Sequence, residues 1–175
     1  MSVQTLLEIL KYLLPSLVVF ATTYFLVKKH FENEERIRRQ EAVLNNRQMI
    51  TPLRLQAYER AILFLERISP ENLIMRVNRQ GMNCQQLQSE MLQAIRSEYE
   101  HNLTQQIYVS HGGWEMLKIA RGRTIQLINT MTEKVVKTAP SIELSKSILE
   151  SMVDVEKTPT SDAIAFLKKE VEQLF

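Results

Sequence analysis

Few residues in this chain have the types and spacing that chemistry needs. Glu98 and His101 form an E-x-x-H pair, and that spacing sets both on one helix face. The pair is half of a carboxylate-bridged di-metal site, which needs two such motifs and two further glutamates converging on one core. The other histidines, His30 and His111, are preceded at that spacing by Val27 and Tyr108, so the second half is missing. Cys84 has no histidine near it in sequence and no nucleophile signature around it. There is no glycine-rich phosphate loop and no serine-centred elbow. The sequence therefore assigns no catalytic residue, no cofactor-binding residue and no metal ligand. A metal-binding or enzymatic bundle around Glu98 and His101 stands only as an alternative.

Glu98 raises a second question. With Asn102 and Gln105 it points into the apolar arc of its helix, where a carboxylate must be paired or reach water. An antiparallel hairpin turning near His111 brings it level with Arg123 and close to Arg121. The expected arrangement is a buried ion pair of Glu98 with Arg121 or Arg123, a structural feature rather than a catalytic acid. The basic residues of the second hairpin helix do not form a nucleic-acid stripe. Lys118 and Arg121 flank one side of its apolar face, and Arg123, Lys134 and Lys137 the other. A net charge of +2 likewise argues for neither nucleic acid nor an acidic substrate.

The elements that must position these residues read as helices throughout. Glycines are only four, and Leu, Ile, Glu, Gln, Lys and Arg dominate, a mix that favours helix over sheet. Thr51-Pro52 reads as a helix start, with a helix expected to about Ile68. Ser69-Pro70-Glu71 repeats the signal, with a short helix expected to stop at Gly81. Two long helices follow, about 83–109 and 110–137, joined at Ser110-His111-Gly112-Gly113 as an antiparallel hairpin. Helices around 142–153 and 159–174 complete the chain. On the second hairpin helix Trp114, Ile125 and Val136 fall on a line apart from the main apolar stripe, a candidate partner surface.

Ahead of all this lies Leu6–Val27, LLEILKYLLPSLVVFATTYFLV, with no charged side chain from Tyr12 onward. Its length and all-round apolarity predict one membrane-spanning helix, with Tyr12, Tyr24 and Phe25 at its edges. Positive charges follow the run rather than precede it, unlike a cleaved signal peptide. The excess of Lys and Arg behind it predicts an outside N-terminus and a cytoplasmic C-terminal part. Lys28 and Lys29 are placed for lipid headgroups. Residues 28–50 read as a charged helix without a coiled-coil seam, because Glu34, Glu41 and Gln48 fill the positions that Ile37 and Leu44 would need matched. A single cysteine agrees with a reducing compartment.

The expected architecture is all-α: a tail and transmembrane helix over 1–27, a juxtamembrane helix over 28–50, and a cytoplasmic bundle over 51–175. The blocks LRLQAYERAILFLERISPENLIMRV (Leu53–Val77) and IRSEYEHNLTQQIYVS (Ile95–Ser110), followed by Trp114, resemble an uncharacterised family of membrane-anchored proteins of Bacteroidetes-type bacteria. That resemblance implies a bacterial inner membrane and carries no activity. The function expected is a membrane-tethered, non-enzymatic interaction or scaffold module. Its partners would be the lipid bilayer and either another protein or copies of itself, with no small-molecule substrate. An accessory subunit of an envelope or transport complex is the further alternative.

Overall fold

A computed structural model describes residues 3–153 and 158–174. Within its first helix, the side chains of residues 3–12, 14, 15, 42, 43 and 45–47 lie outside the description. The chain divides into two compact units, Met1–Ile50 and Thr51–Phe175. Among the described residues the elements are α1 (Val3–Arg67), α2 (Pro70–Val77), α3 (Cys84–Asn102), a 3-10 turn (Leu103–Ile107), α4 (His111–Glu133), α5 (Ser141–Val153) and α6 (Ser161–Leu174). The only pairing of β type described is an isolated bridge between Asn83 and Pro140.

The first unit holds the N-terminal part of α1. Ser16, Thr22 and Thr23 turn their hydroxyls back onto carbonyls three or four residues earlier, at 2.8–2.9 Å. Further along, Glu34 and Glu35 lie one turn ahead of Arg38 and Arg39 and pair with them, the favourable order on a helix. Among the described residues no helix is long and apolar enough to cross a membrane. The run Leu6–Val27 begins in side chains outside that description, as do Tyr12 and Pro15.

Thr51-Pro52 does not start a helix. α1 passes through it without a break. A proline inside a helix removes one backbone bond and crowds the preceding turn, at a cost of about 3 kcal/mol. The helix-favouring residues on both sides carry α1 across that gap. Its end is at Arg67, where Ser69 Oγ and Asn72 Nδ2 both donate to the Glu66 carbonyl, at 2.8 and 3.0 Å. Ser69 thus closes one helix while Pro70 opens the next. α2 stops at Val77, ahead of the expected Gly81. Gly81 instead sits at φ +87° in the loop, a conformation that suits glycine.

In the second unit α3 begins at a capping box, with Asn83 and Gln86 each bonding the other's backbone N–H at 2.8 and 3.0 Å. The strap between α4 and α5 closes over this start. Cys84 N–H donates to the Ala139 carbonyl at 2.9 Å, and Ser141 N–H donates to the Met82 carbonyl at 2.9 Å. α3 packs against α2, α4 and α5, and α4 packs also against α5 and α6. Between them lies one core containing Phe64, Leu65, Leu87, Ile95, Leu117, Ile128, Ile148 and Leu167, all essentially without exposure. Thr124 and Thr132, buried on α4, satisfy their hydroxyls on the carbonyls four residues back.

Candidate functional site

Glu98, about one turn before the end of α3, is the centre of a three-charge cluster with Arg67 and Arg76. Its side chain is 16% exposed, and its carboxylate accepts from two guanidinium groups. Arg67 Nη1 lies 3.1 and 3.2 Å from its two oxygens, and Arg76 Nη1 lies 3.0 Å from Oε1. The ends of α1 and α2 thus meet on one acid of α3. A groove of about 320 Å³ runs beside it, lined among others by Leu63, Phe64, Arg67, His101 and Asn102.

The expected pairing of Glu98 with Arg121 or Arg123 is replaced by this one. Arg121 lays its guanidinium over the Tyr99 ring, 4.0 Å from the centroid, and its buried Nε has no acceptor among the described residues. Arg123 reaches Asp162 on α6 at 3.4 Å. Position 99 does lie opposite position 121. The side chain there is Tyr99, and the turn of about 100° per residue carries Glu98 to the α1–α2 side instead. Tyr99 also lies edge-on to Phe64 and beside Trp114, with centroids 6.1 and 5.9 Å away.

The E-x-x-H pair therefore holds no open ligand set. Glu98 is occupied by two cations, His101 faces solvent, and no group of three or more His, Cys, Asp or Glu among the described residues is placed to hold a metal ion. The proposed partner line does not survive as a surface either. Trp114 is buried at 6% exposure and Ile125 packs on the core, while Val136 is exposed beyond the end of α4. Lys28 and Lys29 are exposed on the first unit.

A second polar cluster carried no signal in the sequence beyond Ser110 as a helix start. Tyr58 from α1 is fully buried, and its hydroxyl donates to Glu170 Oε2 of α6 at 3.1 Å while accepting from Ser110 N–H at 3.2 Å. Ser110 Oγ lies 2.7 and 2.8 Å from the Glu170 oxygens and accepts from Gly113 N–H at 2.8 Å. Every member is satisfied, and a carboxylate at the first turn of α4 suits the helix dipole. With its hydroxyl committed on both sides and no imidazole bonded to it, Ser110 acts as a cap and clasp. One turn along, Glu115 pairs with Lys118 at 2.6 Å, and the hydrogen bond from Lys118 holds its carboxyl below the ordinary glutamate range.

One protein-family model, described as a family of unknown function (DUF7935), matches residues 4–174. No curated protein and no solved structure matches the chain.

Proposed function

We propose, from the premise that the chain belongs to DUF7935, a family of unknown function, that it is a membrane-tethered, non-enzymatic helical module. It would be a single-pass protein of a bacterial inner membrane, its N-terminus outside. The second unit, in the cytoplasm, would be presented to a protein partner or to another copy. One observation carries this reading. Leu17, Val18, Val19, Phe20, Phe25 and Leu26 point to all sides of α1 at 57–71% exposure among the described residues. Leaving six such side chains in water instead of an apolar phase costs on the order of 10 kcal/mol. From Leu10 to Val27 the sequence holds one charge, Lys11. The hydroxyls of Ser16, Thr22 and Thr23 are satisfied within the helix, as hydrocarbon requires. Lys28 and Lys29 then stand at the cytoplasmic headgroups, each contributing about 1 kcal/mol on anionic lipid.

Alkaline carbonate extraction of cell membranes tests the tether. The full chain is expected in the pellet and residues 28–175 in the supernatant; a full chain released by carbonate would refute it. Topology needs a thiol outside the core, because Cys84 is fully buried. Ser89 is exposed on α3. A Ser89→Cys variant should resist a membrane-impermeant thiol reagent in intact cells and react after lysis. Labelling in intact cells would reverse the orientation.

A further inference from the structure

The outer face of α5 carries an apolar stripe that stays exposed among the described residues. The helix turns Leu144, Ile148 and two serines, Ser141 and Ser145, into the core. It leaves Ile142, Leu149 and Val153 outside at 62, 40 and 83% exposure. With Lys146 these residues are spaced four, three and four apart, a single narrow stripe at helical period. The charges beside the stripe are self-complementary. Lys146 lies within it, and Glu143 and Glu150 flank the same edge, all exposed.

We propose that this stripe binds the same stripe of a second copy of the chain, the two α5 helices running antiparallel about a two-fold axis between Ser147 and Ile148. In that arrangement Ile142 packs on Val153 of the second copy at both ends, and Leu149 covers the stem of the facing Lys146. Lys146 then stands within about one residue's rise of Glu150 of the second copy, on the same side of the pair, so two cross-helix ion pairs replace the 3.8 Å pair within α5. A parallel pairing would instead set Lys146 level with Lys146 and Glu150 level with Glu150. Charge thus selects the antiparallel form. A contact between two 13-residue helices covers less than the ~1,600 Å² of a standard interface. It suits copies whose effective concentration a shared membrane raises. The inference rests on the interaction-module reading and names its partner.

Thiol cross-linking of the full chain in membranes, with copper phenanthroline as oxidant, tests both pairing and direction. Differently tagged Ile142→Cys and Val153→Cys chains, co-expressed, should give a linked dimer at least ~5-fold more abundant than either variant alone. The reason is that identical positions stand ~16 Å apart along an antiparallel pair. Adding Leu149→Asp to both chains should abolish the product. Equal linking by Ile142→Cys alone, or no linking above that of Ser89→Cys, would overturn the proposal. A photo-cross-linking residue at Leu149 separates the remaining outcomes. A product at twice the chain mass supports self-pairing. A product at another mass overturns it while leaving the interaction-module reading intact. The tether is tested separately by carbonate extraction, so cross-linking in a carbonate-soluble chain would refute the tether alone.

Discussion

Glu98 concentrates what a single residue does in this protein. Its carboxylate holds the last turn of α1 and the last turn of α2 through Arg67 and Arg76, the former half-exposed and the latter about a third. Replacing it by glutamine keeps the volume and leaves two guanidinium groups facing each other without their shared anion. Glu98→Gln should lower the stability of the second unit by about 1–2 kcal/mol in urea unfolding, discounted for the exposed arginines. It should change no metal content. An unchanged midpoint would show that solvent already screens the cluster. Glu115 offers a cleaner reading of one charge pair. Carbon-detected titration should place its midpoint below the ordinary glutamate value, and Lys118→Ala should return it there. A depressed carboxyl stabilises above the unfolded value and loses that contribution as pH falls through the folded one, so the effect belongs to the acid range alone.

At the scale of elements, the glycines of α4 separate two roles of one residue type. A methyl group on Gly113 would lie 2.8 Å from Leu167 Cδ2 and 2.9 Å from Glu170 Oε2, inside the seam between α4 and α6. Gly113→Ala should therefore cost about 1–3 kcal/mol by pushing α6 away and loosening the Tyr58–Ser110–Glu170 clasp. Gly122, exposed on the same helix, meets nothing within 4 Å. There the backbone gain dominates, and Gly122→Ala should raise stability by about 0.5–1 kcal/mol. Chemical denaturation of the two variants checks both signs. The existence of the helices was legible in the sequence because Ser69-Pro70 and Ser110 act locally and α3 and α4 carry clear apolar periods. Their ends were not: α3 gives way to a 3-10 turn at Leu103 and α4 stops at Glu133, short of the expected 109 and 137. The hairpin register was legible too, with Tyr99 opposite Arg121. Which way a side chain turns around its helix was not, because the partners of Glu98 come from α1 and α2, 31 and 22 positions away. The clasp is less legible still. Glu170 meets Tyr58 across 112 positions, and neither residue is unusual for its own helix. Pro52 misled for the opposite reason: a strong local start signal lost to the helix formers around it.

The whole molecule has an apolar helix segment that is exposed among the described residues, and a second unit that has its own core. Among the described residues that core draws on Ala57 onward. Residues 51–175 alone should therefore fold, giving one cooperative unfolding transition with coincident circular-dichroism and fluorescence midpoints from Trp114. Separate midpoints would show that the second unit needs the first. One further property of this unit follows from where the strap meets α3. The single thiol of the chain, Cys84, has no exposure, and its Sγ–H points at the Pro140 carbonyl 3.3 Å away. A reagent can reach it only when the strap lifts from the first turn of α3. The rate of its modification under native conditions is thus a built-in meter of that opening, readable without introducing a second thiol.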